Sequence, residues 1–243
     1  MTKDSSDPQQ DHAPEFVPER SPDRARDDEP ARAQAPAQMP TPGKEDIALL
    51  PPFDGLGLDR IELIATAPQA ERAIEALQGA TMLGFDTESK PTFAKGEVSD
   101  GPHIVQLSTL ERAYVFQLHD LACRQLLADF LASHPSRKVG FGLGDDKRRI
   151  LIKLGVEAAG VVDLNAIFRR LGYRKDIGVK AAVAILFGRR FAKSGRASTS
   201  NWASRRLADA QLLYAANDAY AAACVYEALG PDAVAPAGPA SRS

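Results

Sequence analysis

The segment LGFDTES, residues 83–89, sets Asp86 and Glu88 two residues apart directly after an apolar run. In a strand, side chains alternate between faces, so Leu83, Phe85 and Thr87 point one way and Asp86 and Glu88 the other. Two carboxylates side by side in a partly buried place repel each other and lose hydration. Such a pair requires positive charge between its members. A Lys or Arg partner would make it a structural ion pair, whereas a divalent cation would make it a chemical site.

Further acids follow. In VGFGLGDDKRRI, residues 139–150, two aspartates open a helix that leaves a strand. An acid in a first turn complements the helix dipole, the role expected of Asp145. Asp146 is in phase with Ile150 four residues on and so belongs to the inward side. In YAANDAYAAA, Tyr214 and Asp218 stand one turn apart on a helix otherwise made of Ala, Leu and Val. Four carboxylates and a phenol therefore fall on semi-buried faces of three elements. Hard oxygen donors, with no Cys and no His near them, favour Mg²⁺ or Mn²⁺ over zinc. Two such ions can share a central aspartate, one activating water and the other stabilising the leaving oxygen of an in-line phosphoryl displacement. Tyr214 is then placed to orient the water.

The elements that must position these groups read as a mixed α/β sheet flanked by helices. Alternating apolar residues predict strands over 60–66, 81–88, 103–109 and 112–118, and a short one over 137–141. The TLER connection is short enough for a hairpin, so the second, third and fourth strands are expected to be antiparallel neighbours. Helical periodicity covers 67–79, 121–133, 144–155 and 178–188, with a strand running into a helix over 161–173 and a long helix over 207–229. Residues 1–45 are rich in Pro, Ala, Gln, Asp and Arg and cannot bury enough surface to fold, so a disordered tail is expected there. The folded domain is expected over 46–229, with a flexible tail over 230–243.

Of the 243 residues, 44% are hydrophobic, enough for one good-sized core or two small ones. Two cysteines suggest no disulfide framework. The opening residues lack an apolar leader, and the longest apolar run, residues 181–187, is too short to span a bilayer. A soluble, cytoplasmic protein without membrane association is the expectation. The net charge of −2 hides an uneven layout: residues 46–120 carry −7 and residues 121–243 carry +9. An acidic part that gathers cations beside a basic part that gathers phosphates would be arranged this way; a merely solvated charged surface would look the same.

FDTES, VGFGLGDD and YAANDAY, in this order and separation, resemble the three exonuclease motifs of the DEDD superfamily. The similarity is to its tyrosine-bearing subgroup, which includes ribonuclease D and the Werner-helicase exonuclease domain. It extends to IVQLST, DLNAIFRRLG and TSNWASRRLADAQLLYAANDAY, so it covers nearly all of residues 83–229. The resemblance implies a ribonuclease H-like fold and removal of nucleotides from a 3′ end as 5′-monophosphates. It implies that Asp86, Glu88, Asp146 and Asp218 bind two Mg²⁺ or Mn²⁺ ions and that Tyr214 positions the water. The histidine subgroup carries its histidine five residues before the last aspartate; here that position is Leu213. Alignment on VGFGLG assigns the ligand to Asp146, with Asp145 its neighbour one residue away.

The partner implied is nucleic acid, DNA or RNA, with a free 3′ end, single-stranded or frayed. Lys193, with Arg189, Arg190 and Arg196 in a glycine-containing loop, could clamp its phosphates. The family uses the ends of the first motif's strand and its neighbour as a wedge, which would bring Thr87 and Leu107 to the terminal nucleotide. By themselves, Phe85 and Leu107 read as core. Trp202 reads as a packed aromatic or a stacking platform, and Asn201 as a turn residue or a substrate contact. His103, His119 and His134 have no ligand spacing and read as structural. A dinucleotide reading of GFGLGDD fails because acids there would repel a pyrophosphate. Ribonuclease D carries further helical domains, so a homo-oligomer or protein partner is expected to supplement binding here. Two other functions remain in view: a non-catalytic nucleic-acid-binding adaptor, and a hydrolase of very short oligonucleotides.

Overall fold

Alternating apolar residues build the sheet. In the computed structural model, which describes residues 39–92, 100–193 and 195–234, six strands are β1 (Ile61–Ile64), β2 (Met82–Glu88), β3 (Ile104–Ser108), β4 (Ala113–Gln117), β5 (Arg137–Gly140) and β6 (Val161–Asp163). Their order across the sheet is β1-β4-β3-β2-β5-β6. β2, β3 and β4 are antiparallel neighbours, as the short connection implies, and β1, β5 and β6 pair in parallel at the two sides. The expected mixed α/β architecture is the observed one.

Eight helices are described: α1 (Lys44–Leu49), α2 (Ala67–Leu77), α3 (Leu121–Ser133), α4 (Gly144–Leu154), α5 (Leu164–Arg170), α6 (Gly178–Phe187), α7 (Gly195–Ser198) and α8 (Asp209–Val234). Local chemistry sets several ends. The Asp120 carboxylate accepts the Cys123 amide at 2.7 Å at the start of α3, and α4 stops at Gly155, whose φ of 73° suits a left-handed cap. Two helices lie where no element is expected, α1 and the single turn α7. Beyond Leu229, α8 resumes after a break at Gly230. Residues 39–45, expected within the first tail, are described, and Lys44 and Glu45 begin α1; the rest of the two expected tails, 1–38 and 235–243, lies outside the described residues.

Both faces of the sheet are covered. Leu83, Phe85, Val105, Leu107, Tyr114 and Phe116 point to a core shared with α2, α3 and α4. On the other face, Ile104 and Val115 pack against α8 beside Trp202 and Tyr214, while Val139 joins α5, α6 and the later part of α8. Helix α8 can lie close because its sheet side is Ala215, Ala216, Ala219, Ala222 and Ala223. The closest approach is at Gly84, where an added Cβ would come within 1.9 Å of the Ala219 carbonyl oxygen. Only glycine fits there, and its place two residues before Asp86 sets Asp218 over the end of β2.

His134 is buried between the Ser136 hydroxyl and the Gln78 carbonyl, and His103 pairs with Asp100 at 3.0 Å. His119 is exposed. No helix among the described residues is long and apolar enough to cross a membrane.

Candidate active site

Strand β5 pairs with β2 only as far as Gly84. The last four residues of β2 therefore project past their parallel neighbour, and the turn into α4 fills the space on that side. Asp86 and Glu88 stand on this projecting end, on the face that α8 covers. Their carboxylates and that of Asp218 approach within 4.8 Å of one another.

Asp146 reaches the same place from the opposite layer. Its Oδ1 accepts the Thr87 hydroxyl, and its charge acts on both Asp86 and Glu88. Thr87, on the other face from Asp86, is thus the hook that holds the fourth acid. Asp145 turns outward and pairs with Arg148 at 3.6 Å, with 74% of its side chain exposed. The structure therefore brings three acids to one point, sets Asp146 against Thr87 beside them, and leaves Asp145 in solvent.

The electrostatics are unbalanced. Burial, with Asp218, Asp146 and Glu88 adding to it, pushes Asp86 well above the usual carboxylate range. Burial and Asp218 push Glu88 up to about 8. Asp146 and Asp218 are raised by burial as well, against the Thr87 hydrogen bond and the Lys193 ammonium respectively. Both Asp218 oxygens are buried and neither accepts a hydrogen bond of regular geometry, although the Lys193 ammonium lies 2.6 Å from Oδ2 as its charge partner. That ammonium also sits 5.1 Å from the centroid of the Tyr214 ring. Burial alone would lower Lys193, but Asp218 and Asp86 hold it above its ordinary value. If all of these carboxyls were ionised, one ammonium could not balance them, so without a cation some of them hold protons. The donor set suits hard divalent cations, with Asp218, whose Oδ2 now meets the Lys193 ammonium, among the groups that would hold one.

Tyr214 is buried, with its hydroxyl titration raised by burial and by Asp218. It is therefore a neutral phenol, able to donate or accept a hydrogen bond. Two clefts open on either side of Lys193. One of about 340 Å³ is lined by Phe85, Asp86, Gly140, Gly178 and Asp218. The other, about 380 Å³, lies among Phe53, Phe191, Leu213, Tyr214 and Asp218.

Three residues expected at the substrate are placed elsewhere. Leu107 is fully buried on the α2–α4 face beside Phe85, because its β3 position alternates with that of Gln106. Trp202 is fully buried, 5.9 Å from Tyr214 between ring centroids, and so packs behind the tyrosine and offers no face to a base. Asn201 is exposed and closes a turn, its Oδ1 accepting the Ala203 amide at 3.2 Å. None of the three lines either cleft.

Sequence reasoning missed two features. Asn217, next to Asp218, accepts the Leu56 amide at 2.6 Å and donates to the Leu56 carbonyl at 3.1 Å. A lone amide on an alanine-rich helix was the available signal. Gln106 faces Asp86 across the β2–β3 ladder and is wholly buried, with neither side-chain polar atom hydrogen-bonded.

A family model described as 3′–5′ exonuclease matches residues 61–233. The mouse bifunctional 3′–5′ exonuclease/ATP-dependent helicase WRN is 28% identical over 157 residues, which are 63% of this chain and 11% of that protein. A 3′–5′ exonuclease of Arabidopsis thaliana is 30% identical over 161 residues, covering 64% of this chain and 56% of its own length. The match thus spans little more than half of one relative and about a tenth of the other. Among solved structures, the Aedes aegypti Nibbler EXO domain superposes with a TM-score of 0.62 at 22% identity, covering 72% of this chain and 90% of that one. Trypanosoma brucei RNase D in complex with RNA U12 gives 0.61 at 21% identity, covering 76% and 64%. Escherichia coli RNase D gives 0.60 at 20% identity, covering 72% and 48%. These likenesses establish a common ribonuclease H-like fold.

Proposed function

Because this chain belongs to the DEDD 3′–5′ exonuclease family, in its ribonuclease D and Werner-exonuclease-like branch, we propose that it removes nucleotides from the 3′ end of a nucleic-acid strand. The products are nucleoside 5′-monophosphates. The observation that carries this reading is the carboxylate cluster of half-buried Asp86 and Glu88 with buried Asp218, Asp146 beside it, and a single ammonium against them.

Asp86, Glu88, Asp146 and Asp218 would hold two Mg²⁺ or Mn²⁺ ions. When bound, such ions supply an activated water and stabilise the departing 3′ oxygen. The chain's own groups do the rest. Tyr214, one turn before Asp218, orients the attacking water through its hydroxyl. The water oxygen bonds to phosphorus, the bond from phosphorus to the 3′ oxygen breaks, and that oxygen takes up a proton. Thr87 fixes Asp146 in place. Lys193 leaves Asp218 for the scissile phosphate, a natural partner for an ammonium.

The adaptor reading has one observation in its favour: the Lys193 ammonium already meets Asp218. A 5′-labelled oligonucleotide separates the two, in RNA and DNA forms, with a free or a blocked 3′ end, in Mg²⁺, Mn²⁺ or EDTA. The nuclease reading expects metal-dependent shortening from the free 3′ end only, and none from Asp86→Asn. Intact strands under every condition would leave the adaptor.

A further inference from the structure

The family match begins at residue 61, yet the chain ahead of it is folded against the site. Pro51 accepts the Arg190 amide at 2.7 Å, the Phe53 amide donates to the Arg190 carbonyl at 3.0 Å, and Leu56 is clasped by Asn217. Ile47 of α1 packs into the core around α6. Residues 42–56 thus form a strap laid beside the catalytic groups. Between the strap, the start of α6 and residues 190–193 lies a third cleft, of about 610 Å³. Its charged lining is Lys44, Lys180, Arg190 and Lys193, with no carboxylate among them. Ile47 and Phe191 supply apolar surface between the cations. Lys193 also lines both clefts beside Asp218, so the three adjoin at this residue.

We propose that this strap-walled cleft holds the phosphodiester backbone of the substrate strand upstream of the scissile bond. The inference rests on the nucleic-acid reading above. Cations on several walls with apolar surface between them match a polyanion whose phosphates alternate with flat, apolar bases. Lys193, shared with the clefts beside Asp218, gives the strand its direction: the 3′ end at Asp218, the upstream phosphates at Lys180, Arg190 and Lys44. One wall is a part of the chain that the family match does not include.

The test uses the full chain and a Lys44→Ala/Arg190→Ala variant, with Arg205→Ala/Arg206→Ala as a control of equal charge loss on exposed residues elsewhere. Binding of a fluorescein-labelled single-stranded 12-mer is followed by anisotropy in EDTA across a salt series. Loss of two phosphate contacts should flatten the log–log salt slope by about 1.4 and weaken binding roughly tenfold near 0.1 M salt. KM should rise more for the 12-mer than for a dinucleotide, which lacks the upstream backbone. Melting curves confirm that the variants fold. Wild-type affinity and slope in the double variant, or an equal loss in the control, would overturn the proposal. If the wild type binds strands but cleaves none, the nuclease reading fails while the salt slopes still decide the cleft; if it binds none, both fall.

Discussion

Alternate residues of β2 face two interiors of opposite character. Leu83 and Phe85 enter a neutral core of Val105, Leu107 and Phe116, where each side chain gains by leaving water. One position along, Gly84, Asp86 and Glu88 face α8, which offers alanines and Asp218. The first face is fully buried and satisfied by the chain itself, whereas on the second Asp86 and Glu88 are half-buried beside buried Asp218. The difference shows that burial serves two purposes within a single strand. On one side it stabilises the fold; on the other it stores unbalanced charge that a ligand must complete.

That contrast can be broken by substitutions on each side. The largest effect is expected at Asp86: Asp86→Asn should lower nuclease kcat by on the order of 10⁴-fold, as for single members of a catalytic set acting as a unit. Its melting temperature in EDTA should stay the same or rise, because the change removes a carboxyl whose ionisation is opposed by burial and by the neighbouring acids. On the neutral face, Phe85→Ala should cost about 3–5 kcal/mol in urea unfolding. A reversed pattern, with Asp86 governing stability, would erase the distinction.

Thr87 sharpens it, since its side chain leaves the neutral face to hold Asp146. Thr87→Val keeps the shape and removes the hydroxyl, so activity should fall by about 10–100-fold with little change in stability. The smallest effect concerns Lys138, a buried cation whose ammonium donates to the His134 carbonyl at 2.6 Å and lies 5.9 Å from the Phe130 ring centroid. Burial lowers its pKa to about 8. A lowered lysine favours the folded state only once the proton is gone, so its penalty is complete below pH 8 and fades toward pH 10.5. Relative to Lys138→Met, the wild type should gain stability between pH 8 and pH 10.5 in pH-dependent urea titrations.

Much of this was legible in the chain. Alternation and periodicity located the six strands and the main helices, because local pattern and tertiary burial agree in each. The ordered motifs named Asp86, Glu88, Asp146, Tyr214 and Asp218, which the fold draws together. What sequence could not convey was which face a side chain meets at long range. Thr87 points away from Asp86 yet touches Asp146, because α4 comes round the end of β5. Trp202 read as a packed aromatic or a stacking platform, and only the fold, which buries it wholly, decides for packing. The strap was hidden because α1 is only six residues long, too short for a periodic signal, and its clasp depends on Asn217, 161 residues beyond Leu56.

The most direct measurement is anomalous diffraction from crystals soaked in manganese. Completion of the acid cluster by hard cations predicts anomalous density among Asp86, Glu88 and Asp218, with the Lys193 ammonium displaced from Asp218. Crystals without such density, in which that ammonium still lies against Oδ2, would contradict it.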